Sequence, residues 1–344
     1  MKRAKQLIAL CLVLLVVVGC SKKKNTTTTP VVTPYDSLAH LLAYKASAHP
    51  IYVGFLVADG NDPVPSYNPA NVPDSVDYVE FFSGKDTTQA DWRAAQAKGT
   101  KIVTCHFVKD AYFDGSVNDP ATQVPGYVNP TGFNQTTQNS TSTYYHWAHD
   151  MYTKEIVTEK LDGIDLDIES GTFGSEVSLT AANADSLMVA VAEYYGPNCT
   201  QCTTLNSAGQ KPVFFFDTDG STHLESTIYT PHKSNYSYAL FQSYTTGNHY
   251  WGGTGVASLS PLLTTYGADK LVCLVNGDSF TYPNGTQDQA GGDSTATANL
   301  YSYATWTVTN KAAGVGAYRM SRDYNHTPSF AVSRHAIQLM NPAQ

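Results

Sequence analysis

The sequence predicts a single-domain (β/α)8 barrel, and three observations predict it. From residue 51 onward, eight short β-rich apolar runs alternate with longer helix-compatible stretches, the rhythm of parallel β/α units. Eight is also the number that closes such units into a barrel, and the roughly 290 residues available suit that closure. Across 344 residues, 42% are hydrophobic and only 15% charged, enough for a sizeable core and too apolar for general disorder. A doubly wound open sheet is the competing arrangement, but no G-x-G-x-x-G follows the first strand.

The first element is an address rather than structure. Lys2, Arg3 and Lys5 precede an apolar run from Leu7 to Val18 that ends in Gly19-Cys20. Its twelve residues, at ~1.5 Å each, cannot cross a ~30 Å hydrocarbon layer. A basic start, a short apolar stretch and a small residue before the cut describe an export signal over residues 1–19. The Gly-Cys ending resembles the lipobox of bacterial lipoproteins, which implies that Cys20 becomes the lipidated first residue. Residues 20–35 then form a polar tether, Ser-Lys-Lys-Lys-Asn-Thr-Thr-Thr-Thr-Pro at its start, with lysines placed to meet anionic headgroups. The expected seat is the bacterial cell envelope, on the outer membrane. Removing the signal leaves 18 basic against 29 acidic residues, net −11, which repels phosphate backbones and excludes nucleic acid as a partner.

Residues 36–344 are expected to form the barrel. Its strands are read at Ile51–Val57, Val76–Phe82, Lys101–Val108, Leu161–Glu169, Pro212–Asp217, Tyr238–Tyr244, Lys270–Asn276 and Gly314–Met320. Each is short and rich in β-branched, aromatic or aliphatic residues. Helices are expected at Gln89–Lys98, Tyr144–Lys160, Leu179–Tyr195, Val256–Tyr266, Thr295–Asn310 and Phe330–Leu339. Gly99, Gly196 and Gly267 stand where helices should stop. Two long connections, Lys109–Ser142 and Gly277–Asp293, follow the third and seventh strands, on the face where barrel enzymes place their sites. Their Asn, Gln, Thr and Tyr content suits hydroxyl recognition. Cys199 and Cys202 read as a local disulfide, and Cys105 and Cys273, inside apolar runs, as buried small hydrophobes. No ligand pattern calls for a metal or a cofactor.

The fourth strand carries the chemistry. Leu161-Asp162-Gly163-Ile164-Asp165-Leu166-Asp167-Ile168-Glu169 alternates acidic and aliphatic residues with period two. Asp165, Asp167 and Glu169 therefore share one face, and Ile164, Leu166 and Ile168 the other. The aliphatic face belongs beneath the helices, so the carboxylates point into the barrel. Burying three unpaired carboxylates is costly and they repel one another, an expense no structural role explains. An edge strand with its acids in water is the alternative, and a closed barrel has no edge. Stacked like charges push pKa values apart, making one group an acid while another stays ionised. Glu169, nearest the open face, is the expected proton donor. Asp167 lies one layer below, ~6.7 Å along the strand, placed to hold a substrate group. Asp165, deeper still, is expected to share a proton with Asp167.

This run resembles the D-x-x-D-x-D-x-E signature on the fourth barrel strand of glycoside hydrolase family 18, which comprises chitinases and endo-β-N-acetylglucosaminidases. The resemblance implies retaining hydrolysis in which the substrate's own 2-acetamido oxygen attacks the anomeric carbon. It implies Glu169 as general acid and then base, and Asp167 as the residue that orients the acetamido group and stabilises an oxazolinium ion. Asp165 would support Asp167, and Asp162 would be structural. Gln242 and Tyr244, ending the sixth strand, resemble the Gln/Asn-x-Tyr pair of the endoglycosidase branch, whose Tyr hydroxyl holds the acetamido carbonyl. A core tyrosine is the plain alternative. Chitinases carry Tyr-Asp there, and here Thr245 follows the Tyr. Thr104-Cys105-His106-Phe107 departs from the chitinase Ser-x-Gly-Gly, and Gly316-Ala317-Tyr318-Arg319-Met320 lacks the chitinase Trp.

Tyr318, Asn276 and Gln242, at strand ends, are expected substrate-binding residues. His106 either lines the site or is a hydrogen-bonded core histidine. The implied enzyme is a lipid-anchored monomer that cuts the GlcNAc-β-1,4-GlcNAc core of N-glycans. A chitinase-type enzyme and a sugar-binding barrel without catalysis are the alternatives.

Overall fold

Strands that are apolar on both faces need cover on both, and a parallel barrel inside a jacket of helices supplies it. In the computed structural model, Ile51–Val57 (β1), Gly163–Ile168 (β4) and Val213–Thr218 (β5) are buried at every residue. With Tyr78–Phe82 (β2), Lys101–Phe107 (β3), Tyr238–Gln242 (β6), Leu271–Asn276 (β7) and Gly314–Tyr318 (β8), they close into one barrel in sequence order. Every pairing is parallel, and β8 returns to β1 with Gly314 opposite Ile51. The structure describes residues 34–82, 84–85, 87–108, 141–169, 181–220, 225–244, 256, 259–280 and 296–342. The signal, Cys20, nearly all of the tether and most of both long connections lie outside them.

Parity along the strands divides the core in two. Val53, Phe55, Tyr78, Val103, Phe215, Leu240, Val272 and Leu274 fill the barrel. Tyr52, Val79, Ile164, Leu166, Ile168, Phe214, Phe216 and Val315 face the helices. At the closed end, Tyr78 meets Phe215 at 5.2 Å and Tyr238 at 6.0 Å between ring centroids, with Lys101 Nζ 4.9 Å over the Tyr78 ring. Gly163 opens β4 because a Cβ there would stand 2.5 Å from the Val213 carbonyl oxygen of β5.

The helices follow the expected pattern with adjusted ends. Gln89–Ala97 opens on a reciprocal cap between Thr88 and Asp91. Thr141–Tyr152 runs on into a wider π turn, Thr153–Thr158. The later helices are Ala181–Ala192, Ser260–Tyr266, Ala296–Asn310 and Ala331–Met340. Pro261 sets the late start of the second of these four. Gly99, Gly196 and Gly267 all take positive φ, as helix-ending glycines do. At Gly196 a side chain would also strike Asn235 O, 2.1 Å from the Cβ position.

Further elements go beyond the expectation. A helix at Pro34–Ala46 begins inside the last residues of the expected tether and docks on the closed end, where Lys45 Nζ donates to Thr100 Oγ1 at 2.8 Å and to Val76 O. A π turn and a 3-10 turn, Glu225–Tyr229 and Thr230–Asn235, fill the connection between β5 and β6. Cys199 and Cys202 form the expected disulfide. Among the described residues, no helix is long and apolar enough to cross a membrane.

Candidate active site

The acidic strand lies as its period dictates. Asp165 is fully buried and Asp167 is 3% exposed, both inside the barrel, while Ile164, Leu166 and Ile168 are sealed under the helices. Glu169 is the first residue past β4 and is half-buried at the open end. Asp162, before the strand, is a fastening point. Its carboxylate accepts from Ile102 N and Ser207 N at 2.8 Å, from Gln96 Nε2 at 2.7 Å and from Ser207 Oγ. It ties β3, β4 and the segment before β5 together, the structural role the signature implies.

Closure brings two further acids to the column. Glu80 enters from β2, fully buried, and Asp217 from β5, 1% exposed and directly opposite Asp167 in register. Glu80 and Cys105 of β3 lie beside Asp165, and none of the Glu80 or Asp165 carboxyl oxygens has a hydrogen-bond partner among the described residues. Cys105 is therefore part of the polar column rather than the small hydrophobe expected, whereas Cys273 is buried among apolar side chains. Gln242 Nε2 donates to Asp167 Oδ1 at 3.2 Å.

Among the described residues, no Lys, Arg or His forms an ion pair with these four acids. Burial first, and the neighbouring carboxylates second, push all four carboxyls well above the ordinary range. Burial pushes the Cys105 thiol up in the same way. Donor atoms of Glu80, Cys105 and Asp165 lie within 4.8 Å of one another, near enough for a shared metal ion. Metal ligands must be deprotonated, however, and this environment favours the protonated form of all three.

Tyr244 follows β6 at the mouth, half-buried, its hydroxyl held up by burial and then by Asp217, Glu169 and Asp167. Tyr318 stands across from it at 6.3 Å between ring centroids, against Phe82 at 5.4 Å and Phe55 at 6.2 Å. Asn276 is paired with Tyr318 at the end of β7, and its Oδ1 accepts from Asp278 N at 2.9 Å, capping the next turn. Of the residues expected at the site, Glu169, Asp167, Asp165, Gln242, Tyr244, Tyr318 and Asn276 therefore converge on the barrel mouth or interior.

His106 does not. On β3 the inward positions are Val103 and Cys105, so His106 points to the helices. Its Nε2 lies 3.0 Å from Glu155 Oε1, and its ring packs edge-on to Trp147 at 5.9 Å. It is the hydrogen-bonded core histidine, not a residue of the site.

The rim holds a basic knot absent from the sequence reading. Arg319, just past β8, reaches Asp59 at 2.6 Å and Asp62 and Asp278 at 3.2 Å, while Arg322 reaches Asp62 at 2.8 Å. It binds together the segments that follow β1, β7 and β8. Glu80 and Asp217 are also absent from that reading. Their signal is an acid inside an apolar strand, in Tyr78-Val79-Glu80-Phe81-Phe82 and after Phe214-Phe215-Phe216, which has no wet face to turn to in a closed barrel.

Residues 61–317 match the family described as the endo-β-N-acetylglucosaminidase EndoS TIM-barrel domain. The chain is 26% identical over 328 residues to endo-β-N-acetylglucosaminidase F2 of Elizabethkingia meningoseptica, covering 89% of this chain and 86% of that one. Its fold is similar to the endo-β-N-acetylglucosaminidase of Cordyceps militaris, at 20% identity and a TM-score of 0.57, over 89% of this chain and 96% of the other. It is also similar in fold to a chitinase of Rhizomucor miehei, at 12% identity and a TM-score of 0.51, over 83% and 99% of the two chains.

Proposed function

The chain belongs to the EndoS-type TIM-barrel family of endo-β-N-acetylglucosaminidases, and from that membership we propose that it cuts the β-1,4 bond between the two GlcNAc residues of an N-glycan core. It is a glycosidase. The observation that carries the reading is the inward column of carboxyls on β4, ending in Glu169 at the open face, with Gln242 holding Asp167.

In this reading Glu169 gives a proton to the glycosidic oxygen while the acetamido oxygen attacks the anomeric carbon. The bond to the leaving sugar breaks and an oxazolinium ion remains. Asp167 accepts the acetamido N–H and balances the positive charge. Tyr244, whose hydroxyl stays protonated beside three carboxyls, donates to the acetamido carbonyl and steers its attack. The ionised Glu169 then takes a proton from water, which opens the ring with the anomeric configuration retained.

The test is digestion of a high-mannose glycoprotein, a complex-type glycoprotein and chitin oligomers, with products read by mass. A peptide left with one GlcNAc on Asn is the expected result. Cleavage of chitin oligomers alone would favour the chitinase-type reading, and no cleavage of any substrate would leave a sugar-binding barrel.

The mature chain is further proposed to be a monomer held in the bacterial envelope, on the outer membrane, through lipid on Cys20. What supports this is the basic start, the short apolar run and the Gly19-Cys20 ending. A single acyl chain anchors only marginally, so stable attachment calls for several chains. Cys20→Ser should release the protein from membranes or block its processing. A correctly cleaved, still membrane-bound variant would refute lipidation at that residue.

A further inference from the structure

The sequence pairs Asp167 with Asp165 as sharers of a proton, but the structure gives each a different partner. The Asp165 carboxyl turns to Glu80 and Cys105. Asp167 lies opposite Asp217 in register, both inside the barrel on hydrogen-bonded parallel strands, whose backbones run ~4.8 Å apart. Gln242 donates to Asp167, and Asp217 Oδ1 has no hydrogen-bond partner among the described residues. The groups that face the pair are Asp165 and Glu169 from β4, Asp219 from the end of β5, and Tyr244 past β6. Glu80, Cys105 and Tyr318 lie beyond them, and none of these groups is a cation. Two ionised carboxylates in such a place would repel without compensation, and one proton between them removes half the charge.

We propose that Asp167 and Asp217 form a carboxyl pair holding one proton, and that Asp217 is the positioning residue that takes this proton when the acetamido group arrives. The inference rests on the glycosidase reading for its second half only. In the resting pair the proton lies between the two acids. When the substrate N–H points at Asp167, the proton passes fully to Asp217, leaving Asp167 ionised to face the oxazolinium ion. When the ring opens the proton returns, and the pair has neither gained nor lost charge. Burial together with the charge of Asp217 holds Asp167 above the ordinary range, in keeping with a retained proton.

The test of sharing is the net charge of the folded protein at pH 7, read by capillary electrophoresis. Asp167→Asn and Asp217→Asn should each migrate with the wild type, because the shared proton leaves with the carboxyl that is removed. The double variant should be more positive by one charge. A shift of one charge in either single variant would overturn the pair, and if Asp217→Asn does not fold, the Asp167→Asn result decides alone. This readout needs no substrate, so it stands even if no glycan is cut. The handover is tested by the pH profile of kcat/KM. In Asp217→Asn a proton on Asp167 has no neighbour to receive it, so the acid limb should move up by about one pH unit or more. An unmoved limb would overturn the handover.

Discussion

At the scale of single residues, the proposed chemistry concentrates on Glu169. It is the one acid of the column that meets the open end, whereas Asp165 and Asp167 are sealed below it. Glu169→Gln keeps the shape and removes the proton, so turnover of the natural glycan should fall by at least ~10²–10⁴, the span of general acid–base catalysis. Circular dichroism should be unchanged, and activity within tenfold of wild type would mean that another group is the acid. The β4 acids are legible in the sequence because a single strand writes its facing pattern as a period of two. Glu80 and Asp217 are not, because each is a lone acid on another strand, and only closure of the barrel brings them to Asp165 and Asp167. His106 shows the same limit in reverse. Its chemistry suits a sugar site, but the parity of β3 gives the interior to Cys105 and leaves His106 to Glu155.

At the scale of elements, the eight strands are legible to within a few residues, since each is a short β-rich run set between longer helix-compatible stretches. The Pro34–Ala46 helix is not, because most of its residues are exposed and it carries no strong apolar stripe to read. Buried Glu155 pairs with half-buried Lys85 and His106 between the barrel and the helical layer. Burial pushes the Glu155 carboxyl up, but Lys85 and then His106 overcome this and hold it at about 2. A folded pKa below the unfolded value of ~4.3 stabilises fully above that value, and the contribution fades as pH falls toward 2. Glu155→Gln removes the charge that Lys85 and His106 share, Lys85 keeping Glu159 at 2.6 Å, and should cost about 1–3 kcal/mol at pH 7. Thermal unfolding should show the gap to wild type narrowing between pH 4.5 and 2.5. A gap that does not change across that window would mean that the triad holds shape rather than charge.

At the scale of the whole molecule, the barrel encloses a column of carboxyls that no cation among the described residues pairs with, and this makes the fold sensitive to alkali. Glu80 and Asp165 have folded pKa values raised by burial. The stability that their neutral forms supply is complete below the unfolded value and is lost as pH rises through the folded one. Glu80→Gln removes one titrating group, so its melting temperature should gain on the wild type as pH rises from 5 to 9. Parallel curves would show that Glu80 is not held protonated. In the proposed mechanism this closed column holds Asp167 beneath the reacting bond as an orienting group, with the substrate's acetamido oxygen as the nucleophile. Offering a synthetic sugar oxazoline and a GlcNAc acceptor to Asp167→Asn tests this most directly, because the donor already contains the ring whose formation the variant impairs. Substrate assistance predicts transfer to the acceptor with little hydrolysis of the product; a sugar ester on Asp167 of the trapped wild-type enzyme would contradict it.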